Sequence, residues 1–184
     1  MAILTTETVN VPEGVKVTIN KRVVTVEGPL GNITRDFTHA QLDMTMSGNV
    51  ITVASWFGNQ KARALVRTHA THIENMIEGV SKGFRYTIRP VHRHFPMEIV
   101  IADDAKSMKI IKFLGGFKQH EVKMSEGVTL RFDPTVKEQF FVEGIDLEAV
   151  GVSAARIQQV TRFRGKDRRL FIDGCYRVSR TNMQ

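Results

Sequence analysis

The sequence repeats part of itself, and this duplication constrains the fold more than any other feature. Val15-Lys16-Val17 returns as Ile99-Val100-Ile101, and Pro29-Leu30-Gly31 returns as Phe113-Leu114-Gly115, both 84 residues further along the chain. In each half, strand-like segments lead into one helix-like segment, although the spacing drifts by a few residues. Self-similarity at a fixed separation indicates a repeated structural unit. We therefore expect two lobes of the same fold.

The first half has the alternation that is typical of an antiparallel sheet. Apolar residues alternate with polar ones over 15–19 and 24–26, which is the period of a strand with one buried face. Glycine-containing turn signals then introduce two further strand candidates, 32–37 and 50–56. Because short turns join these segments, we predict that they pair antiparallel.

After Gly58 the apolar period lengthens to three or four residues. The residues that share one helical face are Ala62, Leu65, Val66, His69, Ile73, Met76, Ile77 and Val80. Asn59 is the predicted N-cap of this helix, and Gly79 is the predicted C-cap. The pattern predicts one amphipathic helix that covers the sheet of the first half.

Three charged or titratable positions of this helix have competing interpretations. Arg63 and Arg67 lie one turn apart and are candidates for phosphate contacts. An ion pair of Arg67 with Glu74 or Glu78 inside the helix is the alternative. His69 falls on the apolar stripe, so we interpret it as a core histidine whose ring finds a hydrogen-bond partner inside the lobe.

The second half repeats the order of strands followed by a helix. A strand at 84–89 closes the first half, and further strand candidates follow at 97–102, 108–113, 119–124, 128–132 and 139–143. Asp146 is the predicted N-cap of a second helix that ends near Thr161. The second helix therefore covers a second antiparallel sheet.

These patterns predict an α+β fold of two similar lobes from an internal duplication, each an antiparallel sheet packed on one helix. We expect the lobes at 1–90 and 91–161, followed by a basic C-terminal tail, 162–184. Of the formal net charge of +7, the tail alone carries +5, from seven Lys/Arg and two acidic residues. A cationic excess at one end is typical of a chain that binds a polyanion.

Cationic and aromatic residues alternate in this tail. The cations are Arg162, Arg164, Lys166, Arg168, Arg169, Arg177 and Arg180, and they are interleaved with Phe163, Phe171 and Tyr176. Arginine binds phosphate through two parallel N–H donors, and aromatic rings stack on unpaired bases. We therefore predict an RNA-binding tail. A solvated basic end that binds polyanions without specificity is the simpler alternative.

The sequence offers little support for catalysis. His92, His94 and Asp103 are the one group that fits a small metal-dependent hydrolase, but Arg93 repels a cation there, and we interpret His94 as facing RNA instead. Cys175 is the single cysteine and is expected to be buried. Motifs for nucleotide binding, zinc proteolysis and serine hydrolysis are missing from the sequence. We predict no enzymatic activity, no metal, no cofactor and no small-molecule substrate.

Nothing in the sequence predicts a membrane partner. No run approaches the roughly 18–20 apolar residues that span a bilayer. The first ten residues also lack the basic and apolar regions of a signal peptide. We expect a protein of the cytosol, or of the nucleus in transit.

Several segments resemble one family. They are 67–80 (RTHATHIENMIEGV), 83–86 (GFRY), 94–96 (HFP), 113–115 (FLG), 143–144 (EG), 154–159 (AARIQQ) and 166–176 (KDRRLFIDGCY). Together they resemble the universal large-subunit ribosomal protein that is numbered six in bacteria and nine in eukaryotes. The resemblance covers nearly the whole chain, and 75–77 and 171–174 are most similar to the eukaryotic branch.

The resemblance implies two similar α+β lobes and a structural, non-enzymatic role in the large (60S) subunit. It also implies binding to domain VI of the large-subunit ribosomal RNA, near the sarcin-ricin loop and the stalk base, beside neighbouring ribosomal proteins. Cytoplasmic ribosomes would be reached after nuclear and nucleolar transit. The main RNA contacts fall to the tail cations from Arg162 to Arg169, and Asp173-Gly174 shapes the turn that presents them. An extraribosomal RNA-binding or RNA-chaperone module is the alternative.

Overall fold

The computed structural model describes residues 3–93, 95–162, 165, 167 and 169–183. The chain divides into two compact units, Met1–Lys82 and Gly83–Gln184, which we call the N-terminal and C-terminal lobes. Each lobe combines antiparallel sheets with a helix, as the duplication predicts. The division after Lys82 lies earlier in the chain than the boundary at residue 90 that we expected from the sequence.

The described part of the N-terminal lobe contains six strands and one helix. They are β1 (Leu4–Asn10), β2 (Lys16–Asn20), β3 (Val23–Gly28), β4 (Gly31–Asp36), β5 (Asp43–Ser47), β6 (Val50–Trp56) and α1 (Gln60–Lys82). The strands form two antiparallel sheets, with the orders β1-β6-β5 and β2-β3-β4. Helix α1 packs on β1, β3 and β6.

Strand alternation and the helical period together build the core of this lobe. Val24 and Val26 of β3 are fully buried, as are Ile51 and Val53 of β6. The apolar stripe of α1 is buried with them, including Val66, His69, Ile73, Met76, Ile77 and Val80. Full burial of an aliphatic side chain contributes about 1.5–3 kcal/mol, so this stripe holds the helix on the sheets.

The N-terminal end of α1 agrees with the prediction, and the C-terminal end does not. Asn59 is confirmed as the N-cap, because its Oδ1 accepts a hydrogen bond from the amide of Ala62 at 2.9 Å. The predicted C-cap at Gly79 is wrong, since Gly79 is buried within the helix and α1 continues to Lys82. Gly83 follows at φ 66°, the left-handed conformation that ends a helix most easily at glycine.

The described part of the C-terminal lobe contains seven strands and one α-helix. They are β7 (Phe84–Val91), β8 (Glu98–Ile101), β9 (Ser107–Ile111), β10 (His120–Lys123), β11 (Val128–Phe132), β12 (Phe140–Gly144), α2 (Leu147–Val160) and β13 (Gly174–Asn182). A 3₁₀ turn, Phe113–Gly115, follows β9. The sheet orders are β10-β9-β8 and β11-β12-β7-β13, and all pairs are antiparallel.

The predicted N-cap of α2 is confirmed. Asp146 accepts hydrogen bonds from the amides of Glu148 at 3.0 Å and Ala149 at 3.4 Å. The core residues of this lobe come from both sheets and the helix, and the fully buried ones include Met108, Ile110, Phe140, Val142, Val150 and Ile157. Neither α-helix in the described residues is long and apolar enough to cross a membrane.

The sheets show how the duplication is built. The β2-β3-β4 sheet corresponds to β8-β9-β10, and β1-β6-β5 corresponds to β7-β12-β11. The segment 84–89 is therefore the first strand of the C-terminal lobe, whereas we expected it at the end of the first half. It belongs to the second lobe because residues 84–88 of β7 pair with β12, and β13 pairs along the other side of β7. Strand β13 is an addition to the repeat.

Candidate RNA interface

The C-terminal strand β13 is built into the C-terminal lobe rather than projecting from it. It pairs antiparallel with β7, from Gly174 opposite Val91 to Asn182 opposite Phe84. Cys175 is fully buried, as expected. Its backbone amide donates a hydrogen bond to Thr161 Oγ1 at 3.1 Å, which fixes the start of β13 to the end of α2.

An irregularity in β13 places two of the predicted RNA-binding residues on one face. The register shifts between Arg177, which lies opposite Ile88, and Ser179, which lies opposite Thr87. Without this shift, Arg177 and Arg180 would point to opposite faces, because strand side chains alternate. With the shift, Arg177 and Arg180 lie on the same face of the sheet. The Arg177 guanidinium lies 5.2 Å from the Tyr86 ring centroid. Both arginine side chains are exposed.

Aromatic rings of β7 support both arginines. The Arg180 guanidinium lies 5.0 Å from the centroid of the Phe84 ring, and the Arg177 guanidinium lies 5.2 Å from that of Tyr86. Cation–π contacts of this kind contribute about 0.5–1 kcal/mol at exposed sites and restrict the side chain. The rings therefore favour these positions of the two cations before any partner binds.

The segment between α2 and β13 carries further predicted residues. Arg162 is exposed, and its amide donates to Gln159 O at 3.1 Å in the last turn of the helix. Arg169 is also exposed, and its amide donates to Asp167 Oδ1 at 2.9 Å. Asp167 thus organises the backbone that presents Arg169. The predicted residues Arg164, Lys166 and Arg168 lie outside the described residues.

Asp173 and Gly174 shape the entry into β13. Asp173 is 2% exposed, and its Oδ1 accepts a hydrogen bond from the amide of Arg93 at 3.0 Å. Gly174 has φ 149°, and a Cβ placed there would lie 3.3 Å from Thr161 Oγ1. Both features support a role in backbone geometry rather than in contacts to a ligand.

The predicted residues of the N-terminal lobe lie on α1. Arg63 and Arg67 are both exposed. Arg67 Nη1 lies 3.2 Å from Glu7 Oε2, so its ion pair is with β1 rather than with the acids of its own helix that the alternative interpretation named. His69 is a satisfied core histidine, as predicted, because its Nδ1 lies 2.7 Å from Leu65 O.

The histidine cluster gives no support to a hydrolase. His92 Nε2 lies 3.5 Å from Glu138 Oε2, in an exposed pair. The predicted residue His94 lies outside the described residues. Within residues 3–93, 95–162 and the described tail positions, no group of His, Cys, Asp and Glu side chains has an arrangement that fits a metal ion.

A second cationic surface was missed by the sequence analysis. Strand alternation places Arg85, Arg89, Arg131 and Phe141 on the sheet face opposite to α2, together with Tyr176. Arg85 Nε lies 2.6 Å from Glu143 Oε1, and its guanidinium lies 4.8 Å from the Phe141 centroid. The alternation of Arg85 and Arg89 within β7 was the signal available in the sequence.

Comparison with known proteins identifies the family. The model of the family described as ribosomal protein L6 matches residues 11–83. The large ribosomal subunit protein uL6A of Schizosaccharomyces pombe is 39% identical over 97% of this chain and 94% of its own length. The uL6A protein of Saccharomyces cerevisiae is 40% identical over 95% of this chain and 93% of its own length. The uL6 protein of Staphylothermus marinus is 42% identical, with coverages of 92% and 91%.

The alignments cover more than nine tenths of this chain and of each relative. The relatives are named as large ribosomal subunit proteins, which are structural proteins and not enzymes. The duplicated α+β lobes agree with the fold that the resemblance implied. The chain belongs to the ribosomal protein L6 (uL6) family and is of the eukaryotic type.

Proposed function

We propose that this chain is a structural constituent of the large (60S) ribosomal subunit and binds large-subunit ribosomal RNA. The observation that carries the proposal is the near full-length similarity, at 39–42% identity, to proteins named for that subunit. The excess of +5 charge in the last 23 residues supports RNA as the partner. The protein then functions in cytoplasmic ribosomes, which it reaches after nuclear and nucleolar transit.

The proposed RNA-binding residues form two groups in the C-terminal lobe. Arg177 and Arg180 are held on β13 by aromatic rings, and Arg162 and Arg169 are exposed in the segment before it. We assign Arg164, Lys166 and Arg168 to the same surface from their positions in the sequence. Contacts from such cations to phosphates depend little on base sequence, so they position a protein on folded RNA.

Contacts from the N-terminal lobe are proposed to be secondary. Arg63 and Arg67 are exposed on α1, although Arg67 already pairs with Glu7. His94 is assigned to the RNA-facing loop on sequence grounds alone. We propose that the RNA partner is domain VI, near the sarcin-ricin loop and the stalk base, and that neighbouring ribosomal proteins lie there too.

Sedimentation separates this function from the extraribosomal alternative. A tagged copy of the chain is expressed in a eukaryotic cell, and the lysate is resolved on a sucrose gradient. We expect the chain in the 60S and 80S fractions and in polysomes, and its release with the large subunit when magnesium is removed. A chain that stays at the top of the gradient would support the RNA-chaperone alternative instead.

Ultraviolet crosslinking tests the proposed location. After irradiation of purified subunits, reverse transcription stops mark the nucleotides that are joined to the chain. We expect stops in domain VI, around the sarcin-ricin loop and the stalk base. Stops confined to other domains would reject the location while leaving membership of the subunit intact.

A further inference from the structure

The two lobes differ at one sheet edge. Strands β1 and β7 are equivalent, because each opens its lobe and pairs antiparallel with the strand that precedes the helix. In the C-terminal lobe, β13 covers the other side of β7. In the N-terminal lobe, no described strand pairs with the other side of β1. The duplication thus leaves in one lobe an edge that the other lobe covers with its own chain.

The backbone of β1 shows which groups face this edge. The amide of Val11 donates to Asn49 O at 2.8 Å, and the amide of Phe57 donates to Ile3 O at 2.8 Å. Odd-numbered residues of β1 therefore turn their backbone groups toward β6, because such pairs alternate along an antiparallel ladder. The N–H and C=O groups of Leu4, Thr6, Thr8 and Asn10 turn the other way. They form the hydrogen-bonding pattern that an added strand needs.

A groove lies beside this edge. It has a volume of about 550 Å³ and is lined by Thr8, Val9 and Asn10 of β1 and by Ile77, Glu78 and Ser81 of α1. The corresponding place in the C-terminal lobe, between the ends of the first strand and the helix, holds the start of β13. There Cys175 is fully buried and bonds to Thr161 at the end of α2. The groove therefore has the position that β13 fills in the sister lobe.

The charge of the groove indicates the chemistry of its occupant. Its lining includes Glu13, Glu74 and Glu78, against the single cation Lys82. Phosphates are repelled by such a surface, which disfavours RNA. A second copy of β1 (LTTETVN) brings a further acid and no cation. A segment rich in Lys and Arg is favoured, as β13 itself carries Arg177 and Arg180.

From this comparison of the lobes we propose that the β1 edge and its groove bind an extended, basic segment of another protein. The segment pairs with β1 as an added antiparallel strand of the β1-β6-β5 sheet, as β13 pairs with β7. Main-chain hydrogen bonds supply the binding, and the acidic groove selects cationic side chains. The inference goes beyond RNA binding, because it assigns a protein partner to the N-terminal lobe.

Photocrosslinking from the edge tests the proposal. The full chain is expressed in cells with p-benzoylphenylalanine in place of Thr8, which lines the groove. After irradiation, the chain is purified under denaturing conditions and the crosslinked residue is mapped by mass spectrometry. We expect a crosslink to another protein, within a segment of net positive charge. A crosslink to RNA, to a second copy or to an acidic segment, or no crosslink at all, would overturn the proposal.

Two variants separate strand addition from simple proximity. Thr6→Pro removes an N–H that faces the free edge and leaves the odd-numbered pairs with β6 in place. Glu13→Lys with Glu74→Lys reverses the charge of the groove. We expect each change to lower the crosslink yield by roughly threefold or more. Thr6→Pro removes one main-chain hydrogen bond to the added strand, and the charge reversal removes two ionic contacts with it.

The matched control is Glu121→Lys with Glu126→Lys, which changes the net charge equally in the C-terminal lobe. Its crosslink yield should stay at the wild-type level. A control that loses as much crosslink as the groove variant would contradict recognition by the groove. Sedimentation of the chain is measured separately, so failure of this inference and failure of the proposed function appear in different experiments.

Discussion

The backbone amide of Cys175 donates a hydrogen bond to Thr161 Oγ1 over 3.1 Å, and this bond joins the start of β13 to the end of α2. Thr161 is buried, and its hydroxyl donates in turn to Gln158 O at 3.1 Å. The arginines of β13 are therefore presented by a strand that the lobe holds at its first residues. We call this hydrogen bond the anchor of β13, and its contribution to stability can be measured.

Replacement of Thr161 by valine tests the anchor. Valine keeps the shape but leaves the buried amide of Cys175 without an acceptor, so we expect a loss of about 1–3 kcal/mol in the free energy of unfolding. Urea denaturation measures the change. Thr129→Val on the exposed face of β11 is the control and should stay within about 0.5 kcal/mol of wild type. Equal stabilities of the two variants would contradict the role of the anchor.

The thiol of Cys175 should be unreactive in the folded protein. Burial raises the pKa of Cys175 to about 12, from an ordinary value of 9.0. Because only the thiolate reacts, we expect alkylation by iodoacetamide at pH 8 to be on the order of 1,000-fold slower than in urea. Mass spectrometry follows the reaction. Rapid labelling of the native chain would show that β13 opens readily.

The same pKa shift makes stability depend on alkaline pH. The folded pKa lies above the unfolded one, so the stabilisation from the neutral thiol is fully present below pH 9. It is lost progressively as the pH rises from 9 toward about 12. Cys175→Ser should lower stability at pH 7 but reduce the dependence on pH above 9. Urea denaturation between pH 8 and pH 10.5 reveals the difference, and parallel curves for both proteins would argue against it.

The ion pair of Arg85 with Glu143 should matter more than the pair of Lys112 with Glu98. Glu143 is 8% exposed and its Oε1 lies 2.6 Å from Arg85 Nε, whereas both members of the second pair are more than half exposed. Arg85→Ala leaves a buried carboxylate, so we expect a loss of about 2–4 kcal/mol. Lys112→Ala should cost less than about 0.5 kcal/mol. Thermal denaturation of the two variants measures both losses. Equal losses of stability would contradict the larger contribution of the Arg85–Glu143 pair.

The arginines of β13 should govern part of the salt dependence of RNA binding. Five or six phosphate contacts imply that affinity falls on the order of 10³-fold between 50 and 200 mM salt. Arg177→Ala with Arg180→Ala should lower the slope of log affinity against log salt by about two. Lys16→Ala with Lys106→Ala removes the same charge elsewhere and should leave the slope unchanged. Filter binding to a domain VI transcript measures the slopes, and equal slopes for both variants would rule out these contacts.

Features with a local cause could be predicted from the sequence. The caps at Asn59 and Asp146 are confirmed, because a side-chain acceptor and the amides it binds lie within three residues of each other. The burial of His69 is also confirmed, since it depends on the period of α1. Gly79 has the residue type of a C-cap, but its burial on the packed face of α1 keeps it in the helix.

Features with a distant cause were missed. Strand β1 (LTTETVN) has three threonines and only two aliphatic residues, and its partner residues in β6 lie 40–52 residues downstream. The strand at 84–89 was predicted, but it was assigned to the first half because its partners β12 and β13 both follow far downstream. The face shared by Arg177 and Arg180 depends on an irregularity that alternation alone does not reveal. Long-range pairing therefore determined the parts of the site that the sequence left open.

Incorporation of a tail variant into the large subunit tests the central proposal most directly. In this variant Arg164, Lys166, Arg168 and Arg169 are replaced by alanine, and in the control Lys16, Lys61, Lys106 and Lys109 are replaced. Both proteins carry the same change in charge, and circular dichroism verifies that both fold. We predict that the control sediments with 60S subunits, whereas the tail variant is depleted from them. Normal incorporation of the tail variant would contradict the assignment of the RNA-binding surface to this end of the chain.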